Sequence, residues 1–72
     1  MSIDWTSVKI EYPDLDRWCL LKLSSGGFSA ACFEYSCNGA FWGDGNGEKV
    51  EKGNNVEYWV YLEDILKQCG LT

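Results

Sequence analysis

Eleven carboxylates, six cationic side chains and four cysteines are the groups with chemistry to offer in this 72-residue chain, and histidine is absent. Imidazole is the usual proton carrier near neutral pH, so a serine or cysteine nucleophile here would need a lysine or carboxylate base. No motif positions one. Carboxylates pair at Asp14 with Asp16 and at Glu63 with Asp64, where a solvated surface or a helix N-terminus accounts for them more simply than a catalytic dyad. The cysteines, Cys19, Cys32, Cys37 and Cys69, include no C-x-x-C pair, which together with the missing histidine argues against a zinc site. Neither phosphate-cradling glycine motif occurs. The segment Asp44-Gly45-Asn46-Gly47-Glu48 alternates oxygen ligands like a calcium loop, but Lys49 stands where that loop needs glycine and Asn55 where it needs glutamate. No enzyme, cofactor or metal is expected.

Four cysteines in a short secreted chain would suggest disulfides, with three pairings open. The start, Met1-Ser2-Ile3-Asp4-Trp5, has neither the basic region nor the apolar stretch of a leader. The thiols are therefore expected to be reduced and buried as small apolar groups, and the protein to be cytoplasmic. A formal charge of −5, with its cations scattered among more numerous acids, disfavours direct binding to nucleic acid or to anionic membranes. The longest apolar run, Tyr58 to Leu62, is far short of a bilayer span.

Aromatic side chains are the more informative excess, at 15% of a chain with little interior to hide them. Trp5, Trp18, Trp42 and Trp59 cannot all be buried easily. Val56, Tyr58 and Val60 alternate against Glu57, Trp59 and Tyr61, which places Trp59 on the face opposite the first three and open to solvent. Large exposed aromatics mark binding surfaces. The candidate partner-binding residues are Trp42, Asp44, Glu48, Glu51 and Trp59.

These side chains need a scaffold, and the 46% apolar content is that of a folded domain. The segment Trp18–Leu23 is an apolar run ended by Ser24-Ser25-Gly26-Gly27. Phe28 to Tyr35 alternates, with Ser29, Ala31, Phe33 and Tyr35 on one face and Ala30, Cys32 and Glu34 on the other. Asn38-Gly39 suits a hairpin turn, and Ala40–Trp42 follows as a strand. A helix starting at Pro13 is the competing reading for 13–23. A strand is preferred, because a hairpin to Phe28 uses the glycines. Gly43 to Asn55 reads as a polar loop, pinching into a brief strand around Val50. Val56–Tyr61 is a further strand. Leu62, Ile65, Leu66 and Cys69 then recur at helical spacing, with Glu63 and Asp64 in the first turn, Lys67 in the last and Gly70 as a stop. The expected fold is α+β over a single domain, residues 1–72: an antiparallel meander of three to five strands with a short C-terminal helix packed on it.

Several of these segments together resemble a family. Trp5-Thr6-Ser7-Val8, a proline soon after, the extended Trp18–Leu23 and Val56-Glu57-Tyr58-Trp59 follow the W-x-S-V, V-L-V and H-W pattern of a small domain of unknown function found in lambda-like bacteriophages and prophages. The resemblance covers about residues 5–62. Tyr58 replaces that family's histidine, and a helix-like tail replaces its prolines. It implies a phage or prophage accessory protein with no catalytic residues to carry over.

Three functions are expected in this order. The first is a non-enzymatic binder that inhibits a host protein, such as a nucleic-acid-handling immune effector, in the manner of anti-defence or anti-CRISPR proteins. Its acidity would help it compete for a basic groove. The second is an oligomeric sponge, for instance a homodimer, for a nucleotide-like ligand, with aromatics stacking on the base and Lys49 or Lys52 and the glycine-loop amides holding phosphate. The third is a structural or assembly factor of the phage particle.

Overall fold

Alternation and glycine turns fold the middle of the chain into consecutive antiparallel hairpins. The computed structural model describes residues 3–70, so Met1 and Ser2, part of the expected leaderless start, lie outside the described residues. The strands are β1 (Thr6–Ser7), β2 (Trp18–Leu23), β3 (Phe28–Ser36), β4 (Gly39–Gly43), β5 (Lys49–Glu51) and β6 (Val56–Tyr61), and the helix is α1 (Leu62–Gln68). The strand preferred for Trp18–Leu23 is what forms, and no helix begins at Pro13. Between β3 and β4, Ser36 pairs with Gly39, so Cys37 and Asn38 make the turn. Gly39 takes the positive φ of 106° that closes it.

The sheet has six strands and is a meander only in part. Its order is β1-β6-β2-β3-β4-β5, all pairs antiparallel. After β5 a turn of 3₁₀-helix, Gly53–Asn55, carries the chain back to the far side of β2, and β6 inserts between β1 and β2. Four strand spacings separate β5 from β6, about 19 Å if flat. The link from Glu51 to Val56 can span at most about 17 Å even fully extended. The sheet therefore has to curl, and β5 does approach β3.

The curled-in face holds the core of Cys19, Leu21, Ala31, Trp42, Val56 and Trp59, with Leu23, Phe33 and Tyr61 packed on it. The acidic segment between β1 and β2 closes this face. Pro13 is buried there, and the Tyr12 ring stacks on Phe33 at 4.9 Å. The Glu11 carbonyl accepts the Trp59 indole N–H at 2.9 Å, and the Asp14 amide donates to the Tyr61 hydroxyl at 2.8 Å.

Sheet register reverses the expected faces of β6. Trp59 is opposite Leu21 and Tyr61 opposite Cys19, which puts both on the core side. The register shifts between Lys22 and Leu23, leaving Glu57 as an extra residue. That bulge turns Val56 to the core as well, while Tyr58 and Val60 point the other way.

The helix α1 packs against β2 and β6 and buries none of its residues fully. Its stripe is half-covered at Leu62 and Ile65 and exposed at Leu66 and Cys69. A helix this short is marginal alone, and Arg17 ties it down. The Arg17 guanidinium lies 3.5 Å over the Tyr61 ring and forms ion pairs with Glu63 and Asp14. No helix among the described residues is long and apolar enough to cross a membrane.

Candidate functional site

The face of the sheet turned away from the core carries a second set of aromatic residues, and only part of it is covered. Trp18, Leu20 and Lys22 of β2 stand on this face, paired with Cys32, Ala30 and Phe28 of β3. On the other flank Leu20 pairs with Val60 and Lys22 with Tyr58. Phe28 is 60% exposed, Trp18 46% and Tyr58 39%. Ala30 is open beside them and Leu20 half-buried. Trp5, one residue ahead of β1, has its ring 6.1 Å from that of Phe28, the two planes inclined at 29°. The Lys22 ammonium lies 6.0 Å from the Tyr58 ring. A contiguous aromatic and aliphatic strip thus runs across β6, β2 and β3.

One end of the strip is glycine-rich and acidic. Gly43 pairs with Cys32, and a Cβ there would collide with the Glu34 carboxylate. The Glu34 side chain lies across the glycine and accepts the Gly45 amide at 3.0 Å. A Cβ on Gly45 would meet the Trp18 ring at 3.7 Å, so the loop backbone packs on the indole edge. Burial pushes the Cys32 thiol above its ordinary pKa, and the negative charges of Glu34, Asp16 and Asp44 push it further. Glu34 lies across Gly43, Asp44 follows Gly43 in the chain, and the Asp16 amide donates to the Phe33 carbonyl at 2.9 Å, so the three acidic residues are all drawn to this end of the sheet. Burial likewise pushes Cys19 up to about 12, despite the opposing pull of Arg17. Both thiols are protonated at neutral pH and are poor nucleophiles. Cys37 and Cys69 are exposed, so the expected burial of thiols holds for only two of the four, and all four are free.

The residues expected to touch a partner fare unequally. Trp42 and Trp59 are 2% and 5% exposed and belong to the core, which removes both as contact residues. The physical reason is the curl: β4 and β6 both turn these rings inward, and the Glu11 carbonyl satisfies the Trp59 N–H. Asp44 is half-buried and bends its own loop, its Oδ1 accepting the amides of Asn46 at 2.8 Å and Glu48 at 3.2 Å. Glu51 is half-buried opposite Trp42, and its Oε1 accepts the Asn55 side-chain N–H at 3.2 Å. Glu48 alone is simply exposed. Asp44 and Glu48 stand together in the β4–β5 loop, whereas Trp59 lies strands away on β6.

An open groove of about 390 Å³ lies on the core side, where Tyr12, Phe33 and Trp42 meet Lys49 and Glu51. It has the aromatic wall and the lysine that a nucleotide site would need. The loop amides do not complete it, because those of Gly45, Asn46 and Glu48 are already bonded to the Glu34 and Asp44 carboxylates. No group of three or more metal-ligating side chains assembles among the described residues.

Reading the residues alone missed Trp18, Phe28 and Tyr58 as site residues. The available signal was the excess of aromatics over interior, which included Trp18 among four tryptophans that cannot all be buried easily. No family model matches the chain, and no curated protein or solved structure matches it significantly.

Proposed function

We propose that this chain is a non-enzymatic binding protein that docks the uncovered face of its sheet on a larger protein and masks a site there. One observation carries this reading: Trp18, Phe28 and Tyr58 stand exposed on one face of the sheet, around the buried Cys32 and Val60. Exposed apolar side chains gathered on one face point to an interaction surface more than scattered ones do. Rigid aromatic rings on a strand scaffold gain contact area at little entropic cost, which makes them suited to anchoring an interface. The phage-type motifs suggest the setting, a bacterial host cell with a nucleic-acid-handling defence protein as the target.

The test is capture from host lysate with three immobilised proteins. Wild type should retain a protein at near-equal stoichiometry. The Trp18→Ser/Phe28→Ser variant should lose it at unchanged circular dichroism. A Tyr12→Ser/Tyr35→Ser variant, which removes exposed aromatics elsewhere, should keep it. Loss in the third variant and not in the second would place the contact on the groove side and refute the proposal.

A further inference from the structure

We infer that the occupant of the uncovered face is a basic protein surface, oriented so that an arginine or lysine of the partner lies against Trp18. This rests on the docking reading above and adds the partner's chemistry and its orientation. The apolar strip is not electrically symmetric. At the Trp18 end stand Asp16, whose amide donates to the Phe33 carbonyl, Glu34, whose carboxylate accepts the Gly45 amide beside the Trp18 ring, and Asp44, next to Gly43 opposite Cys32. No ion pair among the described residues neutralises any of the three, since the pairs formed are those of Arg17 with Asp14 and Glu63. Of the cations near the face, Arg17 flanks Trp18 but is committed to Asp14, Glu63 and the Tyr61 ring, Lys22 stands at the opposite end over Tyr58, and Lys49 lies opposite Gly43 on the edge strand β5.

A half-exposed indole beside unpaired carboxylates favours a cation twice over. The ring face attracts it through the quadrupole, and the carboxylates accept its N–H donors as charge-assisted hydrogen bonds. Arginine meets both demands at once, stacking its plane while its fork bonds a carboxylate. Glu34 and Asp44 are already held by backbone amides, so ordering them costs little on binding. A second copy of the chain suits the face less well, because each copy carries a formal charge of −5 and would bring more acid to this end than base.

The test uses ¹⁵N-labelled protein and two synthetic probes, an arginine nonamer and a glutamate nonamer. The arginine peptide should shift the Trp18 indole N–H and the Gly45 amide saturably, and the glutamate peptide should shift neither. Affinity should fall about tenfold on raising salt through the range where surface charges become screened. It should fall comparably in Asp16→Asn/Glu34→Gln/Asp44→Asn, whose side chains keep their shape and acceptor oxygens. No shift at Trp18, or equal shifts in the neutralised variant, would overturn the inference. Concentration-dependent doubling of mass, abolished by Trp18→Ser, would assign the face to a second copy and overturn it too. If lysate capture survives neutralisation but not Trp18→Ser/Phe28→Ser, the charge inference falls and the docking reading stands. If it survives both, both fall.

Discussion

The two faces of the sheet draw on the same residue types and put them to opposite uses. On the curled face, Trp42, Trp59, Phe33 and Tyr61 are closed over by the segment between β1 and β2, and its backbone supplies a partner for the buried indole N–H. On the other, Trp18, Phe28 and Tyr58 have neighbours beside them and little above them. Composition does not separate the two sets. What separates them is the direction of curl and the segment between β1 and β2 that lies across the curled face. A ring becomes core where chain returns to cover it, and stays exposed where none does.

The sharpest way to break this contrast is truncation of one ring from each face. Trp42→Ala or Trp59→Ala should cost about 3–5 kcal/mol, nearly all that a domain of this size has to spare. Trp18→Ala or Phe28→Ala should stay within about 1 kcal/mol, as surface changes usually do. Urea unfolding followed by circular dichroism decides it, and equal losses on the two faces would erase the distinction. A smaller effect is expected where the faces meet the β4–β5 loop. Gly43→Ala forces the Glu34 carboxylate aside and brings a methyl within 2.8 Å of the Phe41 ring. It should cost about 1–3 kcal/mol, and measurably less in a Glu34→Ala background. An identical cost in both backgrounds would show that the close approach to Glu34 is not the cause.

A further effect is confined to alkaline pH. Cys19 is raised to about 12 in the folded chain from an ordinary 9.0. Between these values the unfolded chain has lost a proton that the folded chain keeps, so stability is intact below pH 9 and falls as pH rises toward 12. Replacing the thiol, Cys19→Ala, should flatten that decline by up to about one proton in the slope of stability against pH. An unchanged slope would mean the thiol ionises as easily folded as unfolded.

Much of the scaffold was legible because its signals are local. The glycines at 26 and 27, the alternation of 28–35, the hairpin signal at Asn38-Gly39, which falls one residue later than the turn itself, and the helix stop at Gly70 each specify a neighbourhood. The insertion of β6 between β1 and β2 was not legible, since a two-residue strand such as Thr6–Ser7 leaves no pattern and its pairing is remote in sequence. The face of β6 was misread because Val56–Tyr61 is apolar on both sides, so alternation gave no direction, and the bulge at Glu57 lies in the pairing and leaves no trace in composition. The acidic loop looked like a contact surface. Two of its carboxylates, Asp44 and Glu51, hold their own chain, and Glu34, which sequence reading left in a strand, helps to shape the site instead.

Hydroxyl-radical footprinting, free and with the captured partner, tests the division of faces most directly. Trp18, Phe28 and Tyr58 should be modified in the free protein, Trp42 and Trp59 spared, and partner binding should protect the first three together. Modification of Trp42 or Trp59 at the rate of Trp18 in the folded protein, or protection confined to Tyr12 and Tyr35, would contradict it.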